Sequence, residues 1–162
     1  MRVESRTVAF VCSANLCRSP MAQAICAAEV KRRGWPITVL SAGVWDFEGT
    51  EAVEGARLTC ARHDTPMIKV VSTPFSKVDL AGTARVLVME RTHAATLVAE
   101  ASLPPEKVTL LGTFDPHQRG DEIDDPTGQE IAAFERCFAR LQDCIVHYLD
   151  TTRDFTRVSG GR

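Results

Sequence analysis

The chain has 162 residues, 44% hydrophobic and 25% charged, which fits one globular domain with its own core. Its formal net charge of -2 argues against a protein that holds nucleic acid on a broad basic face. Residues 1–6 lack the apolar stretch of a signal peptide and no later run is long enough to cross a membrane, so we expect a cytoplasmic protein without a membrane partner.

The first predicted strand, residues 7–11, is apolar and runs directly into Cys-Ser-Ala-Asn-Leu-Cys-Arg-Ser-Pro at residues 12–20. A helix is predicted to follow, with Ser19 as its cap, Pro20 in its first turn and Gly34 at its end. Backbone amides between a strand and a helix N-terminus form a concave site for a tetrahedral anion. The sequence therefore predicts a phosphate-binding loop after the first strand. Its candidate contacts are Ser13, Ala14, Asn15, Leu16, Cys17 and Ser19.

Two side chains of this loop point to chemistry on the bound phosphate. Arg18 supplies a permanently charged planar fork that can hold two phosphate oxygens. Thiols beside cations and helix N-termini ionise readily, so we expect Cys12 to act as a thiolate nucleophile. Asn15 tolerates a positive φ and Ser19 can donate its hydroxyl to the thiolate. Cys17 lies near enough in sequence for a reversible disulfide with Cys12.

Further strands are predicted at residues 37–40, 85–89 and 108–111, and further helices at 51–62, at 92–101 and after Thr127. The last helix carries an apolar stripe from Ile131 to Tyr148. Strands that alternate with helices predict an α/β sandwich of three layers around a parallel sheet. We expect residues 1–150 to form one domain and residues 151–162 to form a polar, frayed tail.

A leaving alkoxide or phenoxide needs a proton, and the segment before the last helix supplies a donor. Asp125 precedes Pro126, which stiffens the loop, so we expect Asp125 to act as general acid and then as general base. The neighbouring Asp124 is the weaker candidate.

The six cysteines and four histidines show no ligand spacing for a metal, and no cofactor is expected. Each histidine is interpreted as a surface or capping residue. Cys137 and Cys144, one heptad apart on the last helix, are interpreted as core residues.

Taken together, these segments resemble the low-molecular-weight protein tyrosine phosphatase family. The matching segments are VAFVC at 8–12, SAG at 41–43, VLVME at 86–90, LLGTFDP at 110–116 and DP at 125–126. The resemblance implies a four-stranded parallel sheet flanked by helices. It also implies Cys12 as nucleophile, Arg18 as phosphate binder, Asp125 as general acid, and Asn15, Ser19 and Ser41 as the hydrogen-bond network that supports the loop.

The resemblance leaves the substrate open. Ala14 stands where the family usually has glycine, and Thr127 and Gly128 stand where many eukaryotic members have tyrosines. Trp45 can still form one aromatic wall. Leu16 resembles the bulky aliphatic residue of tyrosine phosphatases, whereas related arginine phosphatases carry threonine there.

We therefore expect a hydrolase of phosphotyrosine-like aryl phosphates, either phosphorylated proteins or small molecules, that also binds phosphate, sulfate or vanadate in the loop. The alternatives are a protein-arginine phosphatase and a thiol-coupled arsenate reductase. A non-catalytic phosphoprotein-binding module is disfavoured, because it needs neither Cys12 nor Asp125.

Overall fold

The computed structural model describes residues 6–68 and 71–155. Four strands, β1 (Arg6–Cys12), β2 (Ile37–Gly43), β3 (Arg85–Val88) and β4 (Val108–Leu110), form one parallel sheet in the order β2-β1-β3-β4. The helices are α1 (Arg18–Arg33), α2 (Glu54–Arg62), α3 (Arg91–Glu100) and α4 (Ile131–Thr151). Short 3₁₀ turns lie at Phe75–Lys77, Pro105–Lys107 and Leu111–Phe114. The predicted α/β fold with a four-stranded parallel sheet is confirmed.

The alternation of side chains along β1 separates two apolar cores. Val8 and Phe10 face a core shared with α1 and α4, and Ala9 and Val11 face a core that includes Leu97 of α3. All four side chains are fully buried, as expected for a central strand of a parallel sheet. The helices therefore cover both faces of the sheet.

The order of the strands determines where a ligand site can form. After β1 the chain moves to one side to form β2 and then returns to the other side to form β3. In open parallel sheets, the crevice at the carboxyl ends of strands where the connections diverge is the usual binding site. Cys12 is the last residue of β1 and lies at this point.

Several local predictions need correction. α1 begins at Arg18 with Cys17 in the N-cap position and no side-chain cap, so the prediction that Ser19 caps this helix is wrong. α2 begins at Glu54 and not at Glu51, because Glu51 pairs with Val71 in an isolated β-bridge.

The predicted fraying of the tail is wrong as far as residue 155. Asp154 accepts hydrogen bonds from Arg85 at 2.9 and 3.0 Å and from the Tyr148 hydroxyl at 2.7 Å. Phe155 is buried and packs edge-on against Tyr148. Residues 156–162 lie outside the described part of the chain, and the division into domain and tail stays a prediction.

None of the helices in the described residues combines the length and the apolar character that a membrane crossing requires.

Candidate active site

The segment after β2 holds the loop between β1 and α1 by donating hydrogen bonds to its carbonyl groups. The carbonyl oxygens of Cys12, Ser13 and Leu16 each accept a hydrogen bond, at 2.9 to 3.0 Å, from a peptide N–H in the segment after β2. In contrast, the peptide N–H groups of residues 13–17 have no acceptor among residues 6–68 and 71–155. Five amide donors are therefore available for an anion, next to the positive end of α1.

The side chain of Asn15 holds the loop through three hydrogen bonds. Its φ is 59°, a left-handed conformation that asparagine tolerates better than most residues. Its side-chain amide donates to the hydroxyls of Ser19 (2.7 Å) and Ser41 (3.0 Å), and its Oδ1 accepts from the peptide N–H of Thr73 (3.1 Å). Ser41 in turn donates to Gln23 at 2.7 Å. This buried network connects the loop to α1, to β2 and to the segment around Thr73.

Ser19 contacts the candidate nucleophile. Its hydroxyl oxygen lies 3.0 Å from Cys12 Sγ and 3.4 Å from the carbonyl oxygen of Ala42. Because this oxygen already accepts from Asn15, the hydroxyl hydrogen is left to donate, and the sulfur is the nearer acceptor.

Ala14 does not need the conformational freedom of the glycine that the family usually has there. Only Asn15 among residues 12–18 has a positive φ, so an alanine fits the backbone of the loop.

The guanidinium of Arg18 is buried and oriented by three partners. Nη1 donates to the carbonyl oxygen of Ile123 (2.6 Å), and Nη2 pairs with Glu90 at 2.8 Å and lies 3.8 Å from Asp125. Nε is buried without a hydrogen-bond partner in the described residues. Burial opposes the charge, but the nearby Cys12, Asp125 and Glu90 raise the pKa of Arg18 above its ordinary value. A cation with one unsatisfied donor is thus fixed beside the loop.

His93, in the first turn of α3, contacts the loop at Ser13. Its Nδ1 accepts from the peptide N–H of Glu90 (3.1 Å), so the proton of the neutral ring lies on Nε2. Nε2 lies 2.9 Å from Ser13 Oγ and 3.4 Å from a carboxylate oxygen of Glu90. Burial, followed by the charge of Arg18, lowers the pKa of His93 to about 4. His93 is therefore neutral and donates to Ser13.

Asp125 reaches the loop from the segment before α4. Its Oδ1 accepts from the peptide N–H (3.0 Å) and the hydroxyl (2.6 Å) of Thr127, and its side chain is 43% exposed. Asp125 lines the same pocket as Cys12 and Arg18. Asp124 does not line this pocket; it lines a neighbouring cavity with Arg136 and Arg140, which Asp125 also borders. The geometry favours Asp125 over Asp124 as the acid.

The pocket over the loop has a volume of about 180 Å³. Its lining residues are Cys12, Ser13, Ala14, Leu16, Cys17, Arg18, Trp45, Asp125 and Thr127. Trp45 is 60% exposed at the rim. The structure thus brings every predicted contact residue to this pocket except Asn15 and Ser19, which lie beneath it with Ser41.

The remaining thiols lie inside the protein as free cysteines. Burial raises the pKa of both Cys137 and Cys144 to about 12, and it also raises the pKa of Cys17. The predicted core positions of Cys137 and Cys144 are confirmed. No group of three or more potential metal ligands occurs within the described residues.

Sequence reasoning missed Glu90 and underrated His93. Glu90 lies two residues after the end of β3 and pairs with Arg18. His93 is both the capping residue that was expected and a contact of the loop. One signal was available: Glu90 stands at the carboxyl end of a buried strand, where parallel sheets place functional residues.

Comparison with known proteins agrees with this geometry. The family model described as low molecular weight phosphotyrosine protein phosphatase matches residues 7–155. The low molecular weight protein-tyrosine phosphatase A of Mycobacterium tuberculosis is 30% identical over 146 residues, which cover 85% of this chain and 86% of the relative. The protein-arginine-phosphatase of Bacillus subtilis is 27% identical over 139 residues, covering 85% of this chain and 91% of that protein.

The fold is shared with solved structures. The low molecular weight protein tyrosine phosphatase from T. tengcongensis superposes with a TM-score of 0.84 at 27% identity, over 91% of this chain and all of that chain (100%). The match to the family model spans both the loop and Asp125. The chain therefore belongs to the low molecular weight phosphotyrosine protein phosphatase family.

Proposed function

We propose that the protein hydrolyses phosphotyrosine-like phosphate monoesters through a phosphocysteine intermediate on Cys12. The observation that carries this proposal is the set of unsatisfied donors around the loop: the five amides of residues 13–17 and the buried Nε of Arg18. Buried donors without a partner are costly, and the equatorial oxygens of a phosphoryl group supply acceptors for them. Cys12 lines the same pocket and is positioned to attack the phosphorus atom.

In the first half-reaction the Cys12 thiolate forms a bond to phosphorus and the bond from phosphorus to the leaving oxygen breaks. The hydroxyl of Ser19, 3.0 Å from Sγ, stabilises the thiolate before attack. Asp125 gives its proton to the leaving oxygen. The amides and Arg18 hold the phosphoryl oxygens as their charge redistributes.

In the second half-reaction Asp125, now a carboxylate, accepts a proton from water. The water oxygen bonds to phosphorus, the bond between sulfur and phosphorus breaks, and the Cys12 thiolate is regenerated with release of inorganic phosphate. Thr127 holds one carboxylate oxygen of Asp125 throughout, so the other oxygen, on the side of Arg18, is the one available for proton transfer.

The walls of the pocket favour an aryl leaving group. Leu16 and Trp45 both line it and offer apolar and aromatic surface to a phenyl ring. Phosphoarginine is the second candidate, because the arginine phosphatase of B. subtilis is among the relatives and because Asp125 lines the pocket as a possible partner for a guanidinium. Arsenate reduction is disfavoured, since Cys137 and Cys144 are buried thiols with high pKa values.

Hydrolysis of matched phosphotyrosine and phosphoarginine peptides, with arsenate reduction as a control, tests the substrate class. We expect faster hydrolysis of phosphotyrosine, and faster hydrolysis of phosphoarginine would reverse the assignment.

Cys12→Ser should abolish turnover while vanadate or phosphate still binds. Asp125→Asn should lower kcat by roughly 10² to 10⁴, and Asp124→Asn is the matched control. An unchanged rate in Asp125→Asn would exclude it as the acid.

A further inference from the structure

The Ser13 hydroxyl has a hydrogen that the protein does not use. His93 carries its ring proton on Nε2 and donates it to Ser13 Oγ at 2.9 Å. The hydroxyl hydrogen of Ser13 cannot return to that nitrogen, and no other acceptor for it lies within hydrogen-bond distance in residues 6–68 and 71–155. Ser13 is half-buried and lines the pocket with Cys12 and Arg18. An oriented donor therefore borders the space that the phosphoryl group would occupy.

The ring of His93 is itself fixed. Its side chain is only 2% exposed, and the peptide N–H of Glu90 occupies Nδ1. The Glu90 side chain accepts in return from the peptide N–H of His93, which completes a reciprocal capping box at the start of α3. The direction in which Nε2 donates is thus determined by the helix start and not by the loop.

We propose that His93 is a positioning residue, which fixes the Ser13 hydroxyl as a side-chain donor to the phosphoryl group in addition to the backbone amides of the loop. This inference rests on the proposed function, because it requires phosphate in the loop. His93 touches neither the substrate nor Cys12 in this scheme. It acts through Ser13, and its loss leaves the hydroxyl free to rotate away from the phosphoryl oxygens.

Glu90 provides the competing explanation, since it contacts both His93 and Arg18. A change at His93 that displaced Glu90 would alter phosphate binding through Arg18 and not through Ser13. The two routes differ in one respect: an effect carried by Ser13 disappears when the Ser13 hydroxyl is removed, whereas an effect carried by Arg18 persists.

Two amide substitutions of His93 separate the contacts of the ring. In His93→Asn the side-chain oxygen stands in for Nδ1 and still accepts from Glu90, but the side chain is too short to reach Ser13. In His93→Gln the longer amide places a donor close to the position of Nε2. The matched control is His147→Gln on the exposed face of α4.

The measurement is the dissociation constant of inorganic phosphate, by calorimetry on the full-length chain. A hydrogen bond to a charged group is worth about tenfold or more in affinity, so Ser13→Ala should weaken phosphate binding by about 10-fold. We expect a loss of about 3- to 10-fold in His93→Asn, affinity within about threefold of the parent in His93→Gln, and no change in His147→Gln. In the Ser13→Ala background, His93→Asn should have an effect of less than about twofold.

Equal losses from His93→Asn with and without the Ser13 hydroxyl would overturn the proposal in favour of the route through Glu90. Unchanged phosphate affinity in Ser13→Ala would overturn it as well. Should His93→Asn fail to fold, two other variants decide: Ser13→Ala, and Ser13→Ala combined with His93→Gln. If the combination bound phosphate with the affinity of the parent chain, a role of His93 through Ser13 would be contradicted. Failure of the proposed function looks different: the parent chain then binds no phosphate, or turnover survives in Cys12→Ser.

Discussion

At the scale of single residues, Asn15 supports the loop through both its backbone conformation and its side chain. It supplies a positive φ, two amide donors and one acceptor to a loop whose carbonyls are held by other segments. Glycine meets the conformational demand without the hydrogen bonds, and alanine meets neither. The backbone and side-chain contributions of this residue are therefore separable by experiment.

We expect Asn15→Ala to lower kcat/KM by about 10- to 100-fold, because the amides and Arg18 no longer converge on one anion. Asn15→Gly should be more stable than Asn15→Ala by about 1 to 2 kcal/mol, since only glycine adopts the left-handed conformation without cost. Steady-state kinetics and urea unfolding of both variants provide the test. Equal stability of the two variants would contradict a strained backbone at this position.

The loop residues that sequence reasoning identified without a resemblance share one property, which is that their chemistry is local. Cys12, Arg18 and Asn15 lie within seven positions, between an apolar strand and a helix start, and the pattern alone predicts an anion site. His93 contacts Ser13 from 80 positions away. That contact depends on how α3 is placed after β3, which no local pattern contains.

At the scale of elements, the end of β2 supports the loop by close packing. A Cβ atom added at Gly43 would lie 2.8 Å from the carbonyl oxygen of Ser13 and 2.9 Å from the carbonyl carbon of Ala14. Both are backbone atoms, so the loop itself would have to move.

We expect Gly43→Ala to lower kcat/KM by about 10²-fold. Thr38→Ala, on the exposed part of β2, is the control in the same assay. Activity equal to that of the parent would show that the loop tolerates displacement.

The start of α3 makes the protein sensitive to acid. The pKa of His93 is about 4 in the folded protein and 6.5 when exposed, so between these values the unfolded chain binds a proton that the folded chain excludes. Stability therefore falls as the pH is lowered through this window, by about 2 kcal/mol between pH 7 and pH 5. Urea unfolding at both pH values measures the loss, which should be absent in His93→Gln. The same loss in that variant would show that another group is responsible.

Element boundaries were harder to predict than element types. The apolar runs correctly indicate four strands, but the start of α2 depends on the bridge between Glu51 and Val71. The misplaced cap of α1 has a similar cause: Ser19 has a typical capping side chain, but its hydroxyl is engaged by Asn15 and Cys12. In both cases a tertiary contact overrides a local preference.

At the scale of the whole molecule, one buried carboxylate ties the segment before α4 to the body of the protein. Asp115 accepts from Arg119 at 2.9 and 3.0 Å and from Arg140 at 3.1 Å, and Arg140 also donates to the carbonyl oxygens of Gly120 and Glu122. Burial alone would raise the pKa of Asp115, but the hydrogen bonds from Arg119 and His117 hold it well below its usual range. This cluster fixes the path of the chain toward Ile123, whose carbonyl oxygen orients Arg18.

Asp115→Ala should lower the free energy of unfolding by about 3 to 5 kcal/mol, because it leaves the largely buried Arg140 without its carboxylate. Asp143→Ala removes only exposed contacts, with Arg119 and His117, and should cost less than about 1 kcal/mol. Denaturant unfolding of the two variants gives the comparison. Similar losses would show that burial of the carboxylate does not matter. No local pattern in the sequence indicates this cluster, because Arg119 and Arg140 come together with Asp115 only in the folded chain.

The burial of the thiols has a practical consequence. Desolvation raises the pKa of Cys17, Cys26, Cys60, Cys137 and Cys144. At neutral pH these five sulfurs stay protonated and shielded, so an anionic alkylating agent such as iodoacetate should modify Cys12 alone and be blocked by phosphate. Incorporation of one label per chain would then count intact loops directly, giving a titration of competent molecules that needs no substrate.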